Sequence, residues 1–288
     1  MENESKKDTN TETKSVPEEM EASKYVGQGF QPPAEKDAIE FAKKHKDKIA
    51  KRGEQFFMDN FGLKVKATNV VGSGKGVEVF VHCDDHDIVF NASIPFDKSI
   101  IDSDSSLRSE DKGDDMSTLV GTVLSGFEYR AQKEKYDNLY KFFKENEEKY
   151  QYTGFTKEAI NKTQNSGYEN EYFYISTIPY NLTEYRNYFE PLLNKSNSEF
   201  SKEMSNVKKQ LKDKSKVSVT TTLFSKNKNY TKKSNSENVI KMAEEIKKEK
   251  DLPTDIDFSI QFSDNKINTI KPNYSSKDNS EYGVFDNE

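Results

Sequence analysis

The residues best suited to chemistry in this chain lie in one short stretch, His82-Cys83-Asp84-Asp85-His86-Asp87. It contains a thiol, three carboxylates and two of the three histidines of the chain. Imidazole and carboxylate groups at one turn are typical ligands of a transition metal. The stretch therefore predicts a candidate metal site formed by His82, Asp84 and His86.

Two properties of the same stretch limit this hypothesis. Side chains alternate between the two faces of a strand, so His82 and Cys83 are expected to point in opposite directions. No second cluster in the sequence supplies further ligands, and aspartates are also common at hairpin tips because they favour turns. Cys83 is expected to be a buried, unreactive thiol, since no base lies on its face of the strand. The sequence thus assigns no catalytic residue and no cofactor.

Two other stretches have part of a ligand-binding pattern. Gly72-Ser-Gly-Lys-Gly76 lacks the spacing of a phosphate-binding loop and precedes a strand rather than a helix. Asp102-Ser-Asp104 begins like a calcium loop, but Leu107 takes the place of the turn glycine and Gly113 that of the bidentate glutamate. Neither stretch predicts a ligand site.

The elements that must position the candidate turn are an N-terminal helix and three strands. Pro32-Pro33 opens a helix whose apolar residues recur every three or four positions until Gly62. The strands Leu63 to Val71, Val77 to Cys83 and Ile88 to Ile94 then form an antiparallel meander, with the candidate turn between the last two. Downstream, the pattern predicts a helix from Asp115 to about Lys149.

The second half of the chain repeats this mixture of helices and strands. An aromatic strand spans 171–177, and a helix starts at Asn181 with Glu184 as capping-box partner. A strand at 217–224, a helix around 239–246 and a hairpin of 256–262 with 267–270 follow. The fold class is predicted as α+β, with long helices packed on antiparallel strand meanders.

The opening residues have a different composition from the rest of the chain. Residues 1–24 offer only Val16, Met20 and Ala22 for burial, which predicts a disordered spacer. The remaining chain is predicted to form an N-terminal domain at 25–178, a C-terminal domain at 181–271 and a loose tail at 272–288.

Charge and hydropathy restrict the class of partner. The chain of 288 residues has a net charge of −6, and no stretch approaches the roughly 20 apolar residues of a membrane span. Nucleic acid is not expected as a partner, because the lysine-rich region at 195–250 lies apart from the tyrosines between Tyr136 and Tyr188. Dense tyrosines are favoured at peptide, sugar and protein contact surfaces. They predict contact with an unknown protein or envelope ligand.

Five runs of the sequence carry a resemblance to a known family. The runs are Tyr25-Val-Gly-Gln-Gly-Phe-Gln-Pro-Pro33, Ala38-Ile-Glu-Phe-Ala-Lys-Lys-His-Lys-Asp-Lys-Ile49, Gly53-Glu-Gln-Phe-Phe-Met58, Val79-Phe-Val-His-Cys-Asp-Asp-His-Asp87 and Tyr150-Gln-Tyr-Thr-Gly-Phe155. They resemble a staphylococcal family of lipoproteins of unknown function. The resemblance covers nearly all of 25–178 and continues more loosely to 281–284.

The resemblance implies a lipid anchor and the extracellular face of the cell membrane. In that family a secretion signal and a lipidated cysteine precede a polar spacer, whereas this sequence begins Met1-Glu2-Asn3 without either feature. The expected location is cytoplasmic if Met1 is the true start. The leading functional hypothesis is a non-enzymatic binding or accessory module of the cell envelope. The alternative is a metal-dependent envelope hydrolase centred on the His82 to Asp87 turn. The oligomeric state is left open.

Overall fold

The computed structural model describes residues 16–110, 116–229, 231–274 and 279–285, which form helices packed on three sheets. The helices are α1 (Lys36–Lys44), α2 (Lys46–Phe61), α3 (Ser117–Ala131), α4 (Lys133–Glu145), α5 (Glu147–Tyr150), α6 (Lys157–Thr163), α7 (Leu182–Glu184), α8 (Asn197–Gln210) and α9 (Lys232–Lys248). The strands are β1 (Glu19–Glu21), β2 (Val65–Ser73), β3 (Gly76–Cys83), β4 (Phe90–Phe96), β5 (Tyr152–Thr153), β6 (Ser166–Gly167), β7 (Phe173–Ser176), β8 (Val217–Ser225), β9 (Ile256–Ser263), β10 (Lys266–Asn268), β11 (Asn273–Tyr274) and β12 (Ser280–Phe285). The predicted α+β class is confirmed.

The first sheet has the order β2-β3-β4-β6 and is antiparallel throughout. It contains the predicted meander, and Val77, Val79, Val81 and Cys83 are buried as their alternation predicts. Helix α2 packs closely on this sheet at Gly53. A Cβ added at Gly53 would lie only 2.5 Å from Cγ1 of Val79, which shows how near the two elements are. The sheet thereby fixes the end of β3, where His82 is found.

The predicted N-terminal helix is divided into α1 and α2. His45, with φ −112° and ψ 23°, lies between them in a non-helical conformation. Gly62 adopts φ +68° and donates its N–H to the carbonyl of Met58 at 3.0 Å, so α2 ends where the sequence predicts. The predicted helix from Asp115 to Lys149 is likewise divided, with its breaks at Gln132 and Asn146.

The second sheet has the order β12-β9-β8-β5, and β7 also pairs with β8. Strands β8 and β9 are parallel and are joined through α9. The predicted hairpin of 256–262 with 267–270 is therefore wrong, since β10 pairs with β1 and β11 and not with β9. Residues 280–285 were predicted to belong to a loose tail, but they form strand β12. This strand pairs with β9 and covers its edge.

The predicted disorder of residues 1–24 does not hold for residues 16–24. Strand β1 pairs antiparallel with β10, and Ala22 and Tyr25 are buried in a small cluster with Phe224 and Ile267. A backbone that supplies strand hydrogen bonds and buries two apolar side chains compensates for its loss of conformational entropy. Residues 1–15 lie outside the described residues.

The two main hydrophobic cores do not divide the chain at 178–181, where the sequence predicted a domain boundary. Strands β5 and β7 precede that boundary but pair with β8 in the second sheet. Leu182 and Tyr185 follow it but belong to the first core, with α2 and the first sheet. Helix α3 contributes Phe127 to the first core and Tyr129 to the second. The two predicted halves are therefore interleaved.

Candidate functional site

Helix α6 forms the wall between two open clefts. Its N-cap residue Thr156 uses one hydroxyl for two bonds, accepting from the N–H of Ala159 at 3.2 Å and donating to the carbonyl of Tyr25 at 2.6 Å. At its other end, the side-chain amide of Asn69 on β2 donates to the carbonyl of Lys162 at 2.9 Å. The position of α6 therefore depends on the segment that follows β1 and on the first sheet.

The cleft on one side of α6, called the β2 cleft, has a volume of about 710 Å³. Its lining residues are Lys64, Val65, Lys66, Ala67, Thr68, His82, Asp84, Asp85, His86, Glu158, Asn161 and Lys162. Three lysines and three carboxylates are present, so the charges of the lining favour neither a cationic nor an anionic ligand.

The cleft on the other side of α6, called the tyrosine cleft, has a volume of about 500 Å³. Its lining residues are His82, Val89, Asn91, Tyr129, Asp137, Tyr140, Lys157, Ile160, Asn161, Tyr168, Glu169, Asn170 and Glu171. Three carboxylates and three tyrosines face one lysine here, which gives this cleft an acidic and aromatic character.

His82 and Asn161 line both clefts and are linked through Asn91. The Asn91 amide nitrogen lies 3.1 Å from Oδ1 of Asn161, and Oδ1 of Asn91 lies 2.9 Å from Nδ1 of His82. Because the Asn91 oxygen is an acceptor, Nδ1 of His82 is assigned as the protonated nitrogen, and Nε2 carries the lone pair in the neutral ring. His82 is thus oriented by a side-chain relay at the junction of the clefts.

The three residues predicted as metal ligands all line the β2 cleft but do not converge as a metal site. His82 is engaged with Asn91, and the carboxylate of Asp85 accepts the backbone N–H of Lys64 at 2.8 Å. Nε2 of His86 lies 3.9 Å from Asp85, a long contact for an ion pair. Within the described ranges, no group of three His, Cys, Asp or Glu side chains is placed to hold a metal ion.

The turn that carries His86 has an unusual backbone. His86 and Asp87 have φ values of 53° and 58°, and the N–H of Ile88 donates to the carbonyl of Asp85 at 2.9 Å. Two successive residues with positive φ form a turn of the I′ kind, in which glycine or asparagine is usually preferred. The turn is therefore locally strained beside the β2 cleft.

Cys83 is a buried thiol, as predicted. Its Sγ lies 3.7 Å from the carbonyl of Lys64, and burial raises its pKa to about 12. A thiol with such a pKa supplies little thiolate at neutral pH. Cys83 therefore contributes packing to the first core.

Hydroxyl groups and carboxylates are paired along the tyrosine cleft. The Tyr129 hydroxyl donates to Oδ1 of Asp137 at 2.6 Å, and the Tyr129 ring stacks on Tyr168 with centroids 4.3 Å apart. Burial and, after it, the charge of Glu171 raise the pKa of Tyr140 to about 12. The hydroxyls of Tyr129 and Tyr140 are therefore neutral at physiological pH, and that of Tyr129 donates to a carboxylate.

Glu169 differs from the other carboxylates of this cleft. Its side chain is half-buried, and no described residue forms a hydrogen bond or ion pair with its carboxyl group. Burial raises the pKa of Glu169 to about 8. In most molecules, Glu169 therefore carries its proton at pH 7.

Comparisons with known proteins identify the relatives of the chain. The family model described as "Protein of unknown function (DUF1672)" matches residues 12–288. The chain belongs to the DUF1672 family. The resemblance to a staphylococcal family of unknown function is thereby confirmed.

A solved DUF1672 structure has the same fold. The crystal structure of a DUF1672 family protein from Staphylococcus aureus subsp. aureus Mu50, at 1.80 Å resolution, has a TM-score of 0.92 and 70% sequence identity. The similarity covers 95% of this chain and 100% of that chain. No curated protein matches the chain. In the described parts of this DUF1672 chain, none of the helices has the length and apolar character needed to cross a membrane.

The tyrosine cleft of this DUF1672 chain was not predicted as a site from the sequence. The density of tyrosines between 136 and 188 was a signal for a contact surface, and Tyr140 and Tyr168 do line the cleft. Asp137, Glu169 and Glu171 gave no signal, because carboxylates are frequent throughout the chain.

Proposed function

We propose that this DUF1672 protein is a non-enzymatic binding or accessory protein of the cell envelope, whose ligand occupies the tyrosine cleft. The observation that carries the proposal is the cleft itself: about 500 Å³ of open space bordered by three tyrosines and three carboxylates. This volume lies within the usual range for small-molecule sites and side-chain pockets, roughly 300–1,000 Å³.

Polar groups of the cleft are held in place by hydrogen bonds, which favours a binding role over a catalytic one. The hydroxyl of Tyr129 is hydrogen-bonded to Asp137, and His82 is held by Asn91. Groups fixed in this way orient a ligand well. The metal-dependent hydrolase alternative has less support, because no three ligating side chains in the described segments converge near His82.

The cell envelope enters the proposal through the family resemblance. The resemblance implies a lipid anchor followed by a polar spacer, and a lipid-anchored binding protein would hold its cleft close to the cell surface. Metabolic labelling of the natural gene product with an alkyne fatty acid tests this part. Incorporation of the label into the membrane fraction is expected, and an unlabelled soluble product would contradict it.

Site-specific photo-crosslinking tests ligand binding at the cleft. Lys157 is exposed and lines the tyrosine cleft, whereas Lys233 is exposed on α9 and lies away from both clefts. We would replace each in turn with p-benzoylphenylalanine and irradiate the protein with a solubilised staphylococcal envelope fraction. An adduct of defined mass is expected at position 157 and not at 233, and excess unmodified protein should compete with it.

The same samples separate a binding protein from an enzyme. In a binding protein, the compound identified in the adduct is recovered with unchanged mass after prolonged incubation with the unmodified protein. Conversion of that compound, equal adducts at both positions, or no adduct at position 157 would refute the proposal.

A further inference from the structure

The tyrosine cleft has more acceptor groups than it can satisfy internally. We infer that it binds the ammonium group of an organic amine, with the carbon chain of the ligand lying along the tyrosine rings. The inference rests on the proposed function, because it names the chemistry of the ligand that the same cleft would hold.

The carboxylates come from two elements that face one another. Asp137 and Tyr140 are three residues apart on α4 and therefore lie on one side of that helix. Glu169 and Glu171 are two residues apart in the segment between β6 and β7. This segment is held by Oδ1 of Asn170, which accepts the backbone N–H groups of Tyr172 and Phe173, each at 2.9 Å. The acidic groups therefore have a supported geometry.

Hydrogen-bond accounting indicates that the ligand must supply donors. The hydroxyl proton of Tyr129 is already directed to Asp137, and the Asn170 amide donates to the Tyr168 hydroxyl at 3.1 Å. Oδ2 of Asp137 also lies 3.4 Å from Nζ of Lys133. A carboxylate has about four acceptor positions, so both Asp137 and Glu171 retain free ones. An ammonium group supplies three donors and no acceptor, which matches this surplus.

Glu169 provides an observation separate from the acidic cluster. Its side chain is half-buried and lines the cleft, and no residue in the described part of the chain forms a hydrogen bond or ion pair with its carboxyl group. A partly desolvated carboxyl group without a partner gains a charge-assisted hydrogen bond from a cation that enters the cleft. Glu169 is therefore placed to pair with a positive group of a ligand.

The charges around the cleft support the same sign. The carboxylates of Asp137, Glu171, Glu147 and Asp87 contribute to the raised pKa values of the cleft tyrosines. Within the described lining, the cationic or titratable basic side chains are Lys157, which is exposed at the rim, and His82 beside α6. The interior next to Glu171 thus has a negative potential that attracts cations.

Calorimetry with three linear probes of equal length tests the inference. We would titrate the full chain at pH 7.5 with 1,5-diaminopentane, 5-aminopentan-1-ol and 1,5-pentanediol. Saturable binding of the two amines with one site is expected, because each carries an ammonium group. The diol should bind at least tenfold more weakly, since it lacks the charge-assisted bonds.

Charge-neutral variants locate the binding. Glu169→Gln and Glu171→Gln preserve side-chain size and are each expected to weaken amine binding by about tenfold. Glu145→Gln serves as the matched control, because Glu145 is an exposed residue at the end of α4 whose contact is with Lys141. This control should bind like the unmodified chain. Circular dichroism and thermal unfolding establish that each variant is folded.

Three outcomes would overturn the inference: equal binding of diol and amine, no saturable amine binding by the folded chain, or equal binding by all three variants. These outcomes differ from failure of the proposed function. A crosslink at position 157 to a neutral or anionic compound would retain the binding function and remove the amine as its ligand class.

Discussion

The hydroxyl of Thr156 donates to the backbone carbonyl of Tyr25 at 2.6 Å, across more than a hundred positions of sequence. Tyr25 is fully buried, and a Cβ at Gly27 would lie 2.9 Å from Cβ of Lys162, so the same segment passes directly over α6. The N-terminal segment is therefore joined to the helix that separates the two clefts.

Removal of this hydroxyl should loosen α6. Thr156→Val eliminates both the N-cap and the bond to Tyr25, and we expect a loss of about 1–2 kcal/mol in the free energy of unfolding. Hydrogen exchange at the backbone amides of α6 should become faster. The control is Thr231→Val, which removes the N-cap of α9 without any contact to the N-terminal segment. Equal acceleration of hydrogen exchange in α6 by Thr231→Val would contradict the coupling of α6 to the Tyr25 segment through Thr156.

The positive φ at Asp87 predicts a stabilising glycine substitution. Asp87→Gly should raise the free energy of unfolding by roughly 0.5–1 kcal/mol, because glycine adopts φ near 58° without steric cost. Urea denaturation measures the change. Asp84 has φ −140°, where glycine relieves no strain, so Asp84→Gly should be neutral or destabilising. Destabilisation by Asp87→Gly would show that the interactions of the Asp87 carboxylate stabilise the fold by more than its positive φ costs.

The raised pKa of Glu169 predicts a dependence of stability on pH. Between the ordinary value of 4.5 and about 8, the folded protein retains a proton that the unfolded chain has lost, so this group makes stability fall as pH rises. Glu169→Gln removes the dependence. The variant should be similar to the unmodified protein at pH 4 and more stable by on the order of 2 kcal/mol at pH 9, after allowance for the partial exposure of the side chain.

Chemical denaturation at several pH values measures this effect. Glu145→Gln is again the control, since Glu145 is exposed and forms a contact of 3.7 Å with Lys141. Its difference from the unmodified protein should show no comparable rise toward pH 9. A Glu169→Gln difference that is constant from pH 4 to pH 9 would contradict the desolvated carboxyl group.

Arg130 is expected to be essential for the contact of α3 with the segment before α8. Its guanidinium donates to the carbonyls of Leu193 at 3.2 Å and Lys195 at 2.7 Å, and it lies 4.2 Å from the centroid of the Phe200 ring. Arg130→Ala should cost about 3 kcal/mol, because the buried carbonyl of Leu193 and the partly buried carbonyl of Lys195 lose their donor and the ring loses its cation.

A lysine at this position should not restore stability. Arg130→Lys keeps the charge but lacks the planar group that reaches both carbonyls and stacks on Phe200. Arg108→Ala provides a surface control, since Arg108 is exposed and its contact with Glu110 is 4.0 Å long. Thermal unfolding compares the three variants, and full rescue by lysine would show that charge alone matters at Arg130.

Local patterns in the sequence predicted much of the first half of the fold. The alternation at Val77, Val79 and Val81 gave a strand with the correct buried face, and Gly62 gave the correct end of α2. The capping box of Asn181 and Glu184 is also present. These features depend on residues close in sequence, so their physical causes are visible without the fold.

Pairing between distant segments was predicted less well. The sequence joined β9 and β10 as a hairpin, whereas β9 pairs with β8 and β12. Strand residues with alternating apolar side chains can pair with many partners, and the choice depends on which surfaces the whole chain buries. The interleaved cores follow from the same long-range choices.

The sequence by itself determined the α+β character, most element positions and the concentration of imidazoles and carboxylates at the His82 to Asp87 turn. Only the tertiary structure decided that His82, Asp137, Asn161 and Glu169 border one cleft, because they come from four different segments and the first three of these are far apart in the chain. It also decided that Glu169 is half-buried without a partner, since desolvation depends on every element packed around a side chain. The identity of a residue does not by itself indicate that environment.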